Sequence, residues 1–203
     1  MSDLVVSLDD AERAIPERVG PKAATLAQLR SARLPVPDGF CLTADAYRRQ
    51  LTLAGHAGAA RQLDAERSDE RRLALATRLG FARVKLDADV QSALELAWTN
   101  LPKSVAVRSS ALCENAAPAS FAGQFETFLG IAAPGDLETA VRACWASLWS
   151  TRALRYMRAY EIEPAGPAMA ILVQRMVDAE ASGGAFSLSA EDRIVITATW
   201  GLG

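Results

Sequence analysis

Long apolar runs, paired cysteines and a surplus of positive charge are all missing from this 203-residue chain, and each absence removes a class of protein. Arginines and acids interrupt every hydrophobic stretch short of the ~20 residues needed to cross a bilayer, so no membrane span is expected. The formal charge of −2 and the pI of about 5.5 provide no broad positive field for a nucleic-acid backbone, and any anion site must be local. Three cysteines, Cys41, Cys113 and Cys144, stand far apart without a CxxC pair, which argues against a disulfide framework and against a zinc site. The N-terminal segment has neither the basic start nor the apolar centre of a secretory leader. A cytoplasmic protein without nucleic-acid or membrane partners is the expectation. Neither a Walker A loop nor GxGxxG occurs, which removes the two commonest nucleotide loops.

What is present is an ordinary globular composition, 50% hydrophobic and 23% charged, sufficient for a real core. Residues 4–8 read as a short strand. Pro21 at a helix start, followed by Ala23, Leu26, Leu29 and Leu34 at spacings of three to five, predicts a helix that Pro35 and Pro37 end. Residues 39–42 predict a second strand, and Thr43 predicts the cap of a helix through Tyr47 and Leu51. Residues 55–72 have no strong apolar stripe and read as a solvated helix or a mobile connection. The spacing of Val90, Leu94, Ala97, Trp98 and Leu101 predicts a helix over 87–101. A strand over 105–107 ends at Arg108, and 125–131 resumes strand character. Residues 136–149 predict a helix with Leu137, Val141, Cys144, Trp145 and Leu148 inward, and Ser150 can cap the next one. Strands over 169–173, 184–188 and 194–199 follow, giving an α+β class with antiparallel pairing near the C-terminus.

The densest chemical pattern is VAVRSSALCENAAPASFAGQ over 105–124. It sets a guanidinium at a strand end with two hydroxyls beside it, then a small-residue loop closing at Ala122, Gly123 and Gln124. Backbone N–H groups of such a loop can approach a polyphosphate, while Arg108 supplies bidentate charge-assisted hydrogen bonds. The same residues also read as plain turn chemistry with a surface arginine.

This segment resembles the signature loop of the pyruvate phosphate dikinase, phosphoenolpyruvate synthase and rifampicin phosphotransferase superfamily. VGPKAATL at 19–26 looks like the family's GGKxAxL segment, and LPVPDGF follows at 34–40. ILVQRMV at 171–177, ASGGAF at 181–186 and TWGLG at 199–203 continue the resemblance in order over nearly the whole chain. It implies an ATP-grasp fold, with residues 1–102 as a first subdomain and 103–203 as the phosphate-loop and adenine-side portion. It further implies that Lys22 and Arg108 contact ATP phosphates, with Arg108 as the catalytic grip, and that Gly123 and Gln124 close the phosphate loop. Thr127 is implied to touch nucleotide, Gln174 to lie by the adenine or ribose, and Met176 and Val177 to line the purine pocket. Taken alone, a lysine at a helix start, a threonine in a strand or an apolar strand pair are each ordinary surface or core features.

The resemblance also implies a Mg²⁺ ion and a phosphoryl relay through a histidine on another domain to pyruvate or a similar acceptor, releasing AMP and phosphate. Departures accompany it: Pro21 replaces a glycine, Asn115 an aspartate, and 186–190 lack the usual FTxNP-like character. The glutamate that follows Gly-Leu-Gly and the metal ligands are expected beyond Gly203, so this chain by itself is expected to be inactive. The single histidine, His56, matches no carrier motif and reads as a surface residue, so the carrier is expected elsewhere. A catalytically incomplete fragment that binds nucleotide or a partner protein without transfer is the alternative. Which acceptor is used is open at this level.

Overall fold

The computed structural model describes residues 4–59, 70–102, 104–113, 125–162, 168–186 and 194–202. Its centre is a five-stranded antiparallel sheet in the order β1-β2-β5-β3-β4, built from β1 (Val5–Ser7), β2 (Gly39–Leu42), β3 (Val105–Ala111), β4 (Thr127–Ile131) and β5 (Met169–Arg175). The sheet therefore takes strands from both sides of residue 102. Strands β6 (Ala181–Phe186) and β7 (Val195–Trp200) pair separately as an antiparallel ribbon. The α+β class and the antiparallel pairing are as the sequence indicates.

Side-chain alternation along the strands divides the core in two. One face carries Val105, Val107 and Ala111 beside Met169, Ile171 and Val173, with Phe40 and Leu42 next to them. Helices α2 (Ala44–Leu53), α3 (Glu70–Arg83), α4 (Ala88–Trp98), α5 (Pro134–Ser147) and α6 (Thr151–Ala159) contribute to this larger cluster. Trp145 anchors it: the indole N–H donates to the Met169 carbonyl at 3.0 Å, and its ring meets Tyr47 and Phe81. Leu137, Val141, Cys144, Trp145 and Leu148 all point inward, as their spacing predicts. The other face carries Cys41, Ala170 and Leu172 under α1 (Pro16–Ser31).

α1 breaks at Gly20 (φ 74°, ψ 160°), so a single turn precedes a helix that restarts at Pro21, where the sequence places the start. Its buried stripe differs from expectation. Ala23, Ala24 and Ala27 face the sheet, whereas Leu29 and Leu34 are 37% and 51% exposed. Small residues let the helix approach the strands closely; of the predicted stripe Ala23 is buried and Leu26 packs against this cluster, while Leu29 and Leu34 turn outward.

The strand after Ser104 is also longer than predicted. β3 runs to Ala111, because Arg108, Ser109 and Ser110 pair in register with Leu172, Ile171 and Ala170 of β5. Helix α3 begins in the stretch read as a solvated helix or mobile connection and continues over 73–83, to which the sequence reading assigns no element. Phe81, Thr77 and Ala74 are buried against the core. Thr43 stands at the α2 N-cap position with extended backbone but makes no side-chain cap hydrogen bond, whereas Ser150 accepts from Ala153 N at 3.1 Å as anticipated. Asp87 caps α4 through two backbone N–H groups.

Candidate functional site

Register places several of the expected site residues together. Arg108 lies opposite Leu172 of β5 and opposite Thr127 of β4, while Gln174 lies opposite Ala106. Cross-strand partners share a face, and i, i+2 neighbours share it too, so Arg108, Thr127 and Gln174 all project on the α1 side of the sheet. Arg108 is half-buried and mid-strand, not at a strand end. Between β3 and β4 the register shifts, so that Val105 and Val107 meet Ile131 and Phe128; the extra residue is taken up near Gly130 (φ 71°), and Thr127 is left exposed.

Lys22 enters the same region from the start of α1. Its ammonium donates to the Ser109 carbonyl at 2.7 Å. Burial pushes the Cys144 thiol up to about 12, with the Glu126 carboxylate adding to the rise and the Lys22 ammonium opposing it. Both charges are thus felt near the head of β4, where Glu126 precedes Thr127.

The two serines after Arg108 do not flank it as free hydroxyls. Ser109 and Ser110 are buried in β3, and Ser110 Oγ accepts from the Ala23 backbone N–H at 3.3 Å. Counted from Pro21, Ala23 is the third residue of a helix whose capping position is a glycine without a side chain. The orphan N–H groups of that first turn need an acceptor from outside the helix, and β3 provides one. That missing local cap was the available sequence signal for the contact.

Gln174 is buried, and its side-chain NH₂ donates to the Pro37 carbonyl at 3.1 Å, tying the 35–38 segment to β5. Met176 donates its N–H to the Ser104 carbonyl at 3.1 Å just past β5; Met176 is half-buried and Val177 exposed, on the connection toward β6. Gly123 and Gln124, together with Glu114 and Asn115, lie outside the described residues. His56 is half-buried, and a Cβ added to Gly80 of α3 would come within 2.8 Å of its ring.

The antiparallel sheet flanked by helices is an α+β architecture of the ATP-grasp type, with Lys22 and Arg108 both on its α1 side. Over residues 16–203 the chain belongs to the family of the pyruvate phosphate dikinase, AMP/ATP-binding domain. It is 36% identical over 217 residues to a phosphoenolpyruvate synthase of Aeropyrum pernix, with 98% of this chain and 26% of that protein covered. It is 38% identical over 211 residues to the prodigiosin synthesizing transferase PigC of Serratia marcescens, covering 98% and 22% respectively. A probable phosphoenolpyruvate synthase of Methanothermobacter thermautotrophicus is 35% identical over 199 residues, covering 91% and 29%. The chain thus spans about a quarter of the length of these relatives.

No helix among the described residues is long and apolar enough to cross a membrane. Nor does any group of three or more His, Cys, Asp or Glu among them form a metal-holding cluster. The α1 side of the sheet carries an ammonium, a guanidinium and an exposed threonine, groups able to hydrogen-bond an anion.

Proposed function

We propose that this chain is the ATP-binding portion of a phosphotransferase that moves a phosphoryl group from ATP, through a carrier histidine on another domain, to pyruvate or a similar acceptor, with release of AMP and phosphate. The observation that carries the reading is the gathering of Lys22, Arg108 and Thr127 on the α1 side of the sheet in a chain of this family. Bound ATP supplies the phosphoryl group. Arg108 holds phosphate oxygens with its planar fork, and Lys22 neutralises charge while its ammonium stays tied to the Ser109 carbonyl. Thr127 offers a hydroxyl beside them, and Gly123 and Gln124 close the phosphate loop. Gln174, through its hold on Pro37, shapes the nucleoside end, where Met176 and Val177 supply apolar contact to the purine.

His56, packed against Gly80, is not the carrier in this reading. The acceptor and the carrier belong to the part of the relatives that this chain does not span. Three buried free thiols suit a reducing compartment, and we place the protein in the cytoplasm.

Calorimetric titration tests the reading. Arg108→Ala should weaken ATP by about tenfold to hundredfold, since a charge-assisted hydrogen bond contributes roughly 1.5–3 kcal/mol, and should leave adenosine unchanged. Arg108→Lys should restore part of the loss. Equal weakening of both ligands would refute the assignment. The alternative reading is a module that binds nucleotide or a partner protein without transfer. Formation of AMP and phosphate by the chain with pyruvate, in the absence of any other protein, would rule that reading out.

A further inference from the structure

The turn that carries Lys22 is clamped to β3 at two successive residues. Lys22 Nζ donates to the Ser109 carbonyl, and the next residue, Ala23, donates its backbone N–H to Ser110 Oγ. Gly20 closes the clamp from the other side: a Cβ there would stand 2.4 Å from the Ser110 carbonyl oxygen and 2.5 Å from its hydroxyl. Ser110 is 0% exposed, so its hydroxyl cannot reach a ligand. On the face it shares with Ala106 and Ala170, an alanine would fill the strand position equally well. The hydroxyl is explained by the helix start, which begins at a glycine and a proline and lacks a cap of its own.

Lysine has a long, flexible stem, and its ammonium is useful to a polyphosphate only if its root is held in place. Ser110 fixes that root, and it does so two residues along β3 from Arg108, on the same face. We infer that Ser110 is a positioning residue, which caps α1 from the neighbouring strand and thereby presets the Lys22 ammonium beside the Arg108 guanidinium as a pair for one polyphosphate. The inference rests on the reading of Lys22 and Arg108 as ATP phosphate contacts.

The test pairs ligand affinity with a readout that needs no ligand. In Ser110→Ala, ATP should bind roughly two- to tenfold more weakly, the equivalent of freezing one long side chain on binding, while adenosine is unaffected. In a Lys22→Met background the same substitution should cause no further loss, because the residue it acts through is gone. Without nucleotide, acylation of Lys22 by acetic anhydride, followed by mass spectrometry, should run several-fold faster in Ser110→Ala than in the parent. If Ser110→Ala fails to fold, Ser110→Cys keeps the size and most of the packing but offers only a weak acceptor, and the same results are expected of it. Equal losses for ATP and adenosine, additive losses with Lys22→Met, or an unchanged acylation rate would each overturn the inference. Faster acylation in a protein that binds no ATP would sustain the clamp and refute the phosphate reading of Lys22.

Discussion

Gly20 is a position where a backbone penalty and a steric penalty add. A side chain there faces two penalties. The backbone sits at φ 74° and ψ 160°, a region held almost only by glycine, where another residue costs about 1–3 kcal/mol, and the new Cβ would meet Ser110 backbone at 2.4 Å. Overpacking against atoms that cannot yield adds about 1–3 kcal/mol. Gly55 supplies the comparison, because its φ is also positive, 78°, and with nothing within 4 Å of an added Cβ it carries a backbone penalty alone. It ends α2 in a Schellman motif, with His56 N–H on the Leu51 carbonyl and Gly55 N–H on the Thr52 carbonyl. The entropy that alanine removes from the unfolded chain is the same at both positions and cancels in the comparison. Gly20→Ala should therefore lose about 2–6 kcal/mol and Gly55→Ala about 1–2 kcal/mol. At roughly 2–4 °C per kcal/mol for a chain of this size, melting temperatures should fall by roughly 4–24 °C and 2–8 °C respectively. Urea unfolding of both variants beside the parent, with slopes compared to verify two-state behaviour, gives the difference directly. Equal destabilisation of the two variants would show that the α1 start does not press on β3 as described.

Other outcomes follow from the same geometry. Arg33 (φ 63°) and Glu161 (φ 55°) occupy the left-handed closing position of Schellman motifs after α1 and α6, so Arg33→Gly and Glu161→Gly should each raise stability by roughly 0.5–1 kcal/mol; a fall in the urea midpoint would count against that assignment. Arg142 ties α5 to the end of α3 through the Ala82 carbonyl at 2.8 Å and pairs with Glu138, so Arg142→Ala should cost about 1–3 kcal/mol in thermal unfolding, and a loss below about 0.5 kcal/mol would refute the tie. Cys144, Cys41 and Tyr47 are all held protonated in the fold by burial, so the unfolded chain binds fewer protons than the fold once pH exceeds about 9, the ordinary thiol value. Stability should be level below that pH and fall above it, toward 12 for Cys144, by up to about 1.4 kcal/mol per pH unit for each group; a flat urea midpoint between pH 9 and 10.5 would contradict the burial of these groups.

Much of the architecture was legible because it depends on local pattern. The β2 boundaries, the restart of α1 at Pro21, the inward stripe of α5 and the Ser150 cap follow from spacing, proline and capping chemistry, which act within a few residues. The misreadings have a common cause in partners distant along the chain. Arg108-Ser109-Ser110 reads as the mouth of a loop until β5 is placed beside it, and pairing with Leu172, Ile171 and Ala170 then makes it strand. Leu29 reads as part of the core stripe of α1 beside Ala23 and Leu26 until the sheet approaches, and close packing selects Ala24 and Ala27 instead. α3 has no clean stripe of its own, since Leu75 and Leu79 are exposed while Thr77 is buried and bonded to the Leu73 carbonyl.

The sequence by itself determined the family and the candidate cations, because ordered short motifs carry the chemistry of the site in residue types that need no coordinates to be read. It also determined the helix start at Pro21, since proline fixes its own φ and needs no partner to do so. The tertiary structure alone decided which of these residues meet. Strand register put Arg108, Thr127 and Gln174 on one face, and the approach of α1 brought Lys22 to the Ser109 carbonyl, 87 residues away in the chain. It also gave Ser110 its work, because a hydroxyl inside a strand acquires a function only when another element brings it an unpaired N–H.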